Sequence, residues 1–214
     1  MIQVVIVDDH ELVCTAIARL LSDFSDIQVI AQVGSGEAAI KIAKEKKPNV
    51  ILMDINMPGI GGMKAAQRIL AHNPSVKIIA LTAYANEPFP ATFLKIGAKG
   101  YLTKGAAPEK MVRAIRDVAT GKNYLEPEVA EQLAMKTLSG FPSSPVDLLS
   151  NRELDVMMMV IKGKSIQAIA ETLCVSPKTI NSYRYRLYEK LKVQSDVELT
   201  LLAMRHGILD QEGN

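Results

Sequence analysis

Aspartates follow apolar runs at two places in the amino-terminal half of the chain. Asp8 and Asp9 come directly after the run IQVVIV, and Asp54 ends the run NVILMD. A lone buried charge is costly, so acidic residues that terminate hydrophobic segments need an explanation. One explanation is local, because aspartate is a preferred residue at the start of a helix. The other is that the three carboxylates meet at one site and do chemistry there.

Thr82 and Lys104 extend this pattern, since they follow two further apolar runs, VKIIAL and KGYLT. Three carboxylates in one crevice repel one another and cannot all stay ionised unaided. Mg²⁺ accepts carboxylate and phosphate oxygens together, and the ammonium of Lys104 supplies a further positive charge. The set therefore predicts a site for a phosphoryl group. Asp54 is the natural acceptor, because carboxylates form acyl phosphates, and Thr82 would bond a phosphoryl oxygen.

His10 stands beside the aspartate pair. A histidine here suggests a metal ligand, but magnesium prefers oxygen. We therefore expect His10 to be a residue at the start of a helix.

Apolar runs alternate with amphipathic segments in residues 1–121, and this alternation predicts the elements that position the polar residues. The predicted strands are 2–7, 27–33, 49–53, 76–81 and 99–103. The predicted helices are 10–22, 36–46, 62–72, 88–96 and 107–120. Such alternation predicts an α/β fold, a doubly wound five-stranded parallel sheet with helices on both faces. In the flavodoxin-like order 2-1-3-4-5, ligands bind at the carboxyl edge near strands 1 and 3.

The composition sets bounds on the class of protein. The chain has 214 residues, 48% of them hydrophobic, and a net charge of +2, which suits two small domains without a strong bulk charge preference. Cys14 and Cys174 lie far apart in helix-like patterns, which predicts two core residues, no disulfide and a cytoplasmic location. No signal peptide or membrane-spanning run is evident, so no membrane partner is expected.

The remainder of the chain predicts a linker and a second, all-α domain. The stretch SGFPSSP is typical of a linker, which we place at 122–147 together with a short helix at 127–138. Residues 148–214 show no strand pattern and predict four helices. Serines at helix-start positions mark them, namely Ser150, Ser165, Ser176 and Ser195.

Two of these helices, 165–173 and 176–191, are joined by a three-residue turn and predict a helix-turn-helix. Residues 178–192 hold five basic residues and one acidic residue, a net charge of +4 on the second of the two helices. Phosphate contacts give affinity and base-edge contacts give specificity. The residues expected to contact DNA are Lys178, Thr179, Asn181, Ser182, Arg184, Tyr185 and Arg186.

The aspartate pair, LMDINMPGIGG, ALTA and GYLTK together resemble the receiver domain of two-component response regulators, over about residues 1–120. The resemblance implies that a sensor histidine kinase phosphorylates Asp54. It also implies that Asp9 and Asp54 bind Mg²⁺ directly. The backbone carbonyl of Asn56 would be a third ligand, and Asp8 would act largely through water.

The same resemblance assigns roles to three residues at the ends of strands 4 and 5. Thr82 and Tyr101 would form a switch pair, in which the threonine moves to the phosphoryl group and an exposed aromatic ring rotates inward. Lys104 would pair with a phosphoryl oxygen. Receivers often have proline after this lysine, with a cis bond, and here the residue is Gly105, so the peptide geometry is left open.

Residues 148–210, from SNREL to RHGI, resemble the LuxR/NarL-type helix-turn-helix output domain. The whole chain is thereby similar to the NarL/FixJ response regulators, most of all to their GacA/UvrY subgroup. The resemblance implies that the last helix, 196–206, forms the contact of a homodimer that binds an inverted repeat in duplex DNA. Its apolar residues, Val197, Leu201 and Met204, fit either that contact or the core of the domain equally well.

We therefore predict a response regulator rather than an enzyme, with a receiver domain at 1–121, a linker at 122–147 and a DNA-binding domain at 148–214. Phosphorylation of Asp54 would control sequence-specific DNA binding and transcription. Two alternatives use the same features. One is a Mg²⁺-dependent phosphohydrolase, and the other is a phosphorylation-independent DNA-binding regulator whose receiver only dimerises.

Overall fold

The computed structural model of the chain describes residues 1–82, 90–139 and 145–205. These residues form two compact units that divide between Glu131 and Gln132. Parts of three predictions lie outside the described residues, namely 88–89 of the fourth helix, 140–144 of the linker, and 206–214 at the end of the second domain. No helix in the described ranges is long and apolar enough to cross a membrane.

The amino-terminal unit contains a parallel sheet of six strands in the order β2-β1-β3-β4-β5-β6. The strands are β1 (Ile2–Val7), β2 (Ile27–Val33), β3 (Val50–Asp54), β4 (Lys77–Thr82), β5 (Gly100–Thr103) and β6 (Tyr124–Leu125). The predicted fold class and the order of the first five strands are confirmed. The sixth strand was missed because two residues carry no detectable period.

Helices cover both faces of this sheet. They are α1 (Glu11–Leu21), α2 (Gly36–Lys46), α3 (Gly61–His72), α4 (Pro90–Lys95), α5 (Pro108–Ala119) and α6 (Pro127–Ser139). The central strands are apolar almost without interruption, and β3 is buried along its whole length, as a strand covered on both faces should be. The helix α6 begins in the amino-terminal unit and ends in the carboxy-terminal unit.

The carboxy-terminal unit is all-helical in its described part, as predicted. A short 3₁₀ helix (Pro145–Leu148) precedes α7 (Asn151–Ile161), α8 (Ile166–Leu173), α9 (Pro177–Leu191) and α10 (Asp196–Arg205). The predicted serines accept hydrogen bonds from backbone N–H groups in the first turn of their helices. The pairs are Ser150 with Glu153, Ser165 with Ala168, Ser176 with Thr179, and Ser195 with Glu198.

The two cysteines differ in their surroundings. Both are free thiols; Cys14 is buried on α1, as predicted, whereas Cys174 is exposed. The prediction for Cys174 was wrong because this residue does not lie on the inner face of α8. It ends that helix in the left-handed conformation, with φ +52°, and its side chain lies in the turn.

Candidate functional site

The acidic residues lie together at the carboxyl edge of the sheet. Asp8, Asp9, His10 and Asp54 each offer a ligand atom within 4.8 Å of the others. The two segments meet because β1 and β3 are parallel neighbours that end at the same edge. His10 precedes the first residue of α1, as expected, and its Nδ1 also lies 3.1 Å from Asp8 and 3.2 Å from Asp9. His10 is therefore part of the cluster.

Lys104 reaches into this cluster from the end of β5. Its Nζ lies 2.7 Å from Oδ2 of Asp8 and 2.9 Å from Oδ2 of Asp54, and both carboxylates are buried. Burial raises the pKa of Asp54, against the lowering effect of hydrogen bonds from Lys104 and from the backbone N–H of Asn56. The pKa of Lys104 is also raised, because the two carboxylates outweigh the effect of its burial.

The cluster has the donor chemistry of a magnesium site. It contains three carboxylates and one ammonium, so it carries excess negative charge. The buried Oδ2 of Asp8 lies within ion-pair distance of Lys104 but accepts no hydrogen bond of good geometry among the described residues. Carboxylate oxygens are the ligands that Mg²⁺ prefers, so the residues present fit this ion.

A glycine allows the acceptor loop to pack closely. A Cβ atom at Gly62, in the first turn of α3, would lie only 1.8 Å from the carbonyl oxygen of Asp54. The N–H of Gly62 also donates to the carbonyl of Ile55 at 3.2 Å. The start of α3 therefore rests directly on the backbone of Asp54, and a residue with any side chain would displace one of them.

Thr82 ends β4, and Lys104 directly follows β5, the next strand of the sheet. Thr82 is fully buried at the end of β4, beside Thr103 of β5. The backbone N–H of Lys104 donates to the carbonyl of Thr82 at 2.6 Å. This bond holds the ends of β4 and β5 together, so both predicted residues lie at the edge that carries Asp54.

Tyr101 was expected to be exposed, and this expectation was wrong. Its side chain is fully buried. The unpredicted strand β6 pairs with the outer side of β5 and places Tyr101 beside Leu125. The strand β5 is therefore an interior strand of the sheet, whereas it is the edge strand of the predicted five-stranded order.

The helix α9 displays most of the residues that were expected to contact DNA. Its apolar face, Ile180, Leu187 and Leu191, is buried. The exposed candidates are Lys178, Asn181, Ser182, Tyr185 and Arg186. Tyr185 is notable because 70% of this large aromatic residue is exposed to solvent. Thr179 is half-buried, and its hydroxyl lies 2.8 Å from that of Ser176 at the helix start.

Arg184 differs from the other candidates on α9. Its guanidinium donates to the carboxylate of Asp196 and, at 2.9 Å, to the hydroxyl of Tyr188, which also donates to Asp196. Only 21% of the arginine side chain is exposed. Arg184 therefore joins α9 to the start of α10, a role that required knowledge of the helix packing.

The helix α10 has an exposed apolar stripe. Val197, Leu201 and Met204 are spaced at helical intervals and are 69%, 47% and 37% exposed, whereas Leu199 and Ala203 on the other face are buried. The structure therefore excludes the interpretation that these three residues belong to the core of the domain.

The comparisons with known families agree with both halves of this architecture. Residues 4–116 match the response regulator receiver domain, and residues 147–203 match the bacterial regulatory proteins of the luxR family. The chain belongs to the response regulators that join a receiver domain to a luxR-type DNA-binding domain.

The relatives within this family are similar over their whole length. Response regulator GacA of Pseudomonas aeruginosa is 48% identical over 211 residues, which are 98% of this chain and 99% of GacA. Response regulator UvrY of Escherichia coli is 46% identical over 213 residues, 99% of this chain and 98% of UvrY. These relatives confirm the predicted family and subgroup.

A solved structure is similar across both domains. RcsB from Salmonella enterica serovar Typhimurium, bound to promoter rprA in the presence of phosphomimetic BeF3⁻, has a TM-score of 0.73 and 25% sequence identity. The match covers 94% of this chain and 97% of the RcsB chain.

Proposed function

We propose that this chain is a transcription regulator whose DNA binding is switched by phosphorylation of Asp54, with a sensor histidine kinase as the donor. The arrangement around Asp54 carries the proposal. One oxygen of its buried carboxylate is held by Lys104, the other accepts the N–H of Asn56, and Asp8 lies on the far side of the lysine. A carboxylate held in this way is positioned to accept a phosphoryl group.

Mg²⁺ is the proposed cofactor. Asp9, Asp54 and the backbone carbonyl of Asn56 would hold it directly, and Asp8 would act largely through water. The ion would supply positive charge for the phosphoryl oxygens. The excess of carboxylates over the single ammonium in the cluster supports this assignment.

The residues around Asp54 then respond to the modification. A phosphoryl group brings a charge of roughly −1.5 to −2 and three acceptor oxygens. The ammonium of Lys104 is already within 3 Å of Asp54 and would bond one of them. Thr82 would donate its hydroxyl to another, and Tyr101, which is already buried, would pack into the space that the Thr82 side chain leaves.

The proposed output is binding of a homodimer to an inverted repeat in duplex DNA. The contacts come from α9, where Lys178 and Arg186 suit phosphates and Asn181 suits a base edge. Thr179, Ser182 and Tyr185 complete the surface, and Arg184 positions it through Asp196. The exposed stripe on α10 provides the dimer contact. The DNA-bound RcsB structure supports this output, and the free thiols and the DNA target fit a cytoplasmic location.

Labelling with a phosphodonor tests the acceptor. Asp54→Asn should abolish incorporation from acetyl phosphate in the presence of Mg²⁺, because an amide does not form the acyl phosphate. The matched control is Asp23→Asn, which changes an exposed aspartate after α1 and should label like the wild-type chain. Full labelling of Asp54→Asn would move the acceptor elsewhere.

Two assays distinguish the proposal from its alternatives. A phosphohydrolase would turn over small phosphate esters such as p-nitrophenyl phosphate, and we expect only slow loss of the protein's own phosphoryl group. A regulator that does not depend on phosphorylation would show the same gel shift with and without acetyl phosphate. We expect the treated chain to bind DNA more tightly.

A further inference from the structure

Glu126 is a buried carboxylate outside the acidic cluster. It directly follows β6 and directly precedes α6, and its side chain is only 4% exposed. A carboxylate is rarely buried without a specific set of partners. The sequence offered no sign of this burial, since Glu126 lies in the segment that was expected to be a linker.

The contacts of Glu126 join three elements. Its Oε2 accepts the backbone N–H of Thr103, at the end of β5, at 2.7 Å. Its Oε1 lies 3.7 Å from Nζ of Lys110 on α5. The backbone N–H of Glu126 points to the carbonyl of Tyr101 at 3.4 Å, and its carbonyl accepts the N–H of Ala130 in the first turn of α6 at 2.9 Å.

The contact with Thr103 is adjacent to the proposed phosphorylation site. Thr103 directly precedes Lys104, whose side chain holds Asp8 and Asp54. The N–H of Lys104 is bound by the carbonyl of Thr82, and the N–H of Thr103 is bound by Glu126. The end of β5 is therefore hydrogen-bonded on one side to Thr82, next to the cluster, and on the other side to Glu126, the residue before α6.

We infer that Glu126 is a positioning residue that couples Lys104 to α6, and so carries the state of Asp54 to the helix that leads into the DNA-binding unit. The inference rests on the proposed function. A hydrogen bond to a carboxylate is short and directional, so a shift of Lys104 toward a phosphoryl group changes the bond at Thr103. Since Glu126 is also the first residue of the α6 hydrogen-bond ladder, that change reaches the start of α6.

The test measures the gain in DNA affinity on phosphorylation, using the full chain. The probe is a duplex selected from a random-sequence pool by the wild-type chain treated with acetyl phosphate and Mg²⁺. Coupling between sites is typically about 5–150-fold, and Glu126→Ala should reduce the gain by at least about 5-fold. Asp54 labelling should stay at the wild-type level, because Glu126 does not contact the cluster.

Three further variants separate the hydrogen bond from charge and from folding. Glu126→Asp keeps the charge but withdraws the carboxylate from Thr103, so it should lose the gain as Ala does. Glu126→Gln keeps an acceptor oxygen and should retain the gain in DNA affinity. Glu128→Ala is the matched control, because this exposed glutamate lies in the same turn of α6; it should behave as wild type. If circular dichroism shows that the Ala variant does not fold, the Asp variant decides.

The possible outcomes separate a failure of the inference from a failure of the proposed function. A full gain in the Ala and Asp variants would overturn the inference and leave the proposed function intact. A loss in Glu126→Gln equal to that in Ala would also overturn it, because charge rather than the bond to Thr103 would then be responsible. A wild-type chain that is not labelled, or that gains no affinity, would overturn the proposed function and the inference with it.

Discussion

Lys104 compensates two buried carboxylates, Asp8 and Asp54, at the edge of the sheet. Removing one partner of a buried ion pair leaves an uncompensated charge, which is more costly than the net worth of the pair. We expect Lys104→Met to lower the free energy of unfolding by about 3–5 kcal/mol without Mg²⁺. Addition of Mg²⁺ should restore part of the loss, because the ion takes over the compensating charge.

Denaturant unfolding with and without Mg²⁺ checks this expectation. Lys122→Met is the matched control, because the ammonium of Lys122 also lies near a carboxylate, 3.6 Å from Asp117, but is mostly exposed. Exposed pairs contribute little, so this variant should unfold as the wild type does, with no Mg²⁺ dependence. Equal losses in the two variants would contradict the compensating role of Lys104.

For individual residues, the sequence predicted which side chains come together at the edge of the sheet, but not how deeply each one is buried. Asp8, Asp54 and Lys104 were predictable because a polar residue directly after an apolar run must lie at the carboxyl edge of a parallel sheet. Tyr101 and Glu126 are buried next to β6, a strand too short to leave a pattern. Neither residue type nor spacing contains that information.

The helix α9 uses two neighbouring arginines differently. Arg184 is bound to Asp196 and Tyr188, whereas Arg186 is exposed and lies over the ring of Tyr183 at 5.9 Å. We expect Arg184→Ala to lower the free energy of unfolding of this unit by about 1 kcal/mol, because Asp196 loses its charged partner but is 47% exposed and keeps the hydrogen bond from Tyr188.

Arg186→Ala serves as the comparison for Arg184→Ala. It should leave unfolding unchanged and weaken DNA binding evenly across sequences, as the loss of a phosphate contact does. Thermal unfolding and fluorescence anisotropy with several duplexes measure the two effects. A stable Arg184→Ala chain with weakened DNA binding would instead show that Arg184 contacts DNA directly.

The capping glutamate of α7 makes the second unit sensitive to acid. Although burial raises the pKa of Glu153, hydrogen bonds from Lys190 and from Ser150 outweigh it and hold the pKa below its usual range. A lowered pKa stabilises the fold at pH values above the pKa of an unfolded glutamate, and this contribution is lost as pH falls through the folded pKa.

We therefore expect Glu153→Gln to lower the free energy of unfolding at neutral pH by about 1.5–3 kcal/mol. The difference from wild type should shrink as the pH falls below the ordinary pKa of glutamate. Denaturant unfolding of both chains between pH 3 and pH 7 measures it. A difference that stayed constant over this range would assign the effect of the substitution to packing.

Long periodic elements were the most predictable part of the fold. Each helix of the second unit begins directly after a serine that could be recognised in the sequence, and the first residue of α9 is Pro177. These starts were predictable because capping depends on a few local residues. The pairing of Glu153 with Lys190, which joins α7 to α9, could not be predicted. It depends on how the two helices pack together, because the paired residues lie 37 positions apart in the sequence.

For the whole molecule, the exposed stripe on α10 is the surface proposed to join two copies of the chain. We expect Leu201→Glu to weaken binding to a duplex with two half-sites, because a charge would be buried in the proposed dimer contact. Binding to a duplex with one half-site should stay at the wild-type level, and this comparison is the internal control. Gel shifts measure both, and equal weakening on the two duplexes would remove α10 from the dimer contact.

The ion pairs inside the second unit also limit how strongly ionic strength affects DNA binding. Of the five basic residues at 178–192, Arg184 and Lys190 are paired with carboxylates. The other three have no ion-pair partner among the described residues, and they are Lys178, Arg186 and Lys192. Each phosphate that a protein neutralises releases counterions and contributes about 0.9 to the slope of log K against log salt. Each copy of α9 should therefore contribute a slope of about 3 or less, which is shallower than its formal charge suggests.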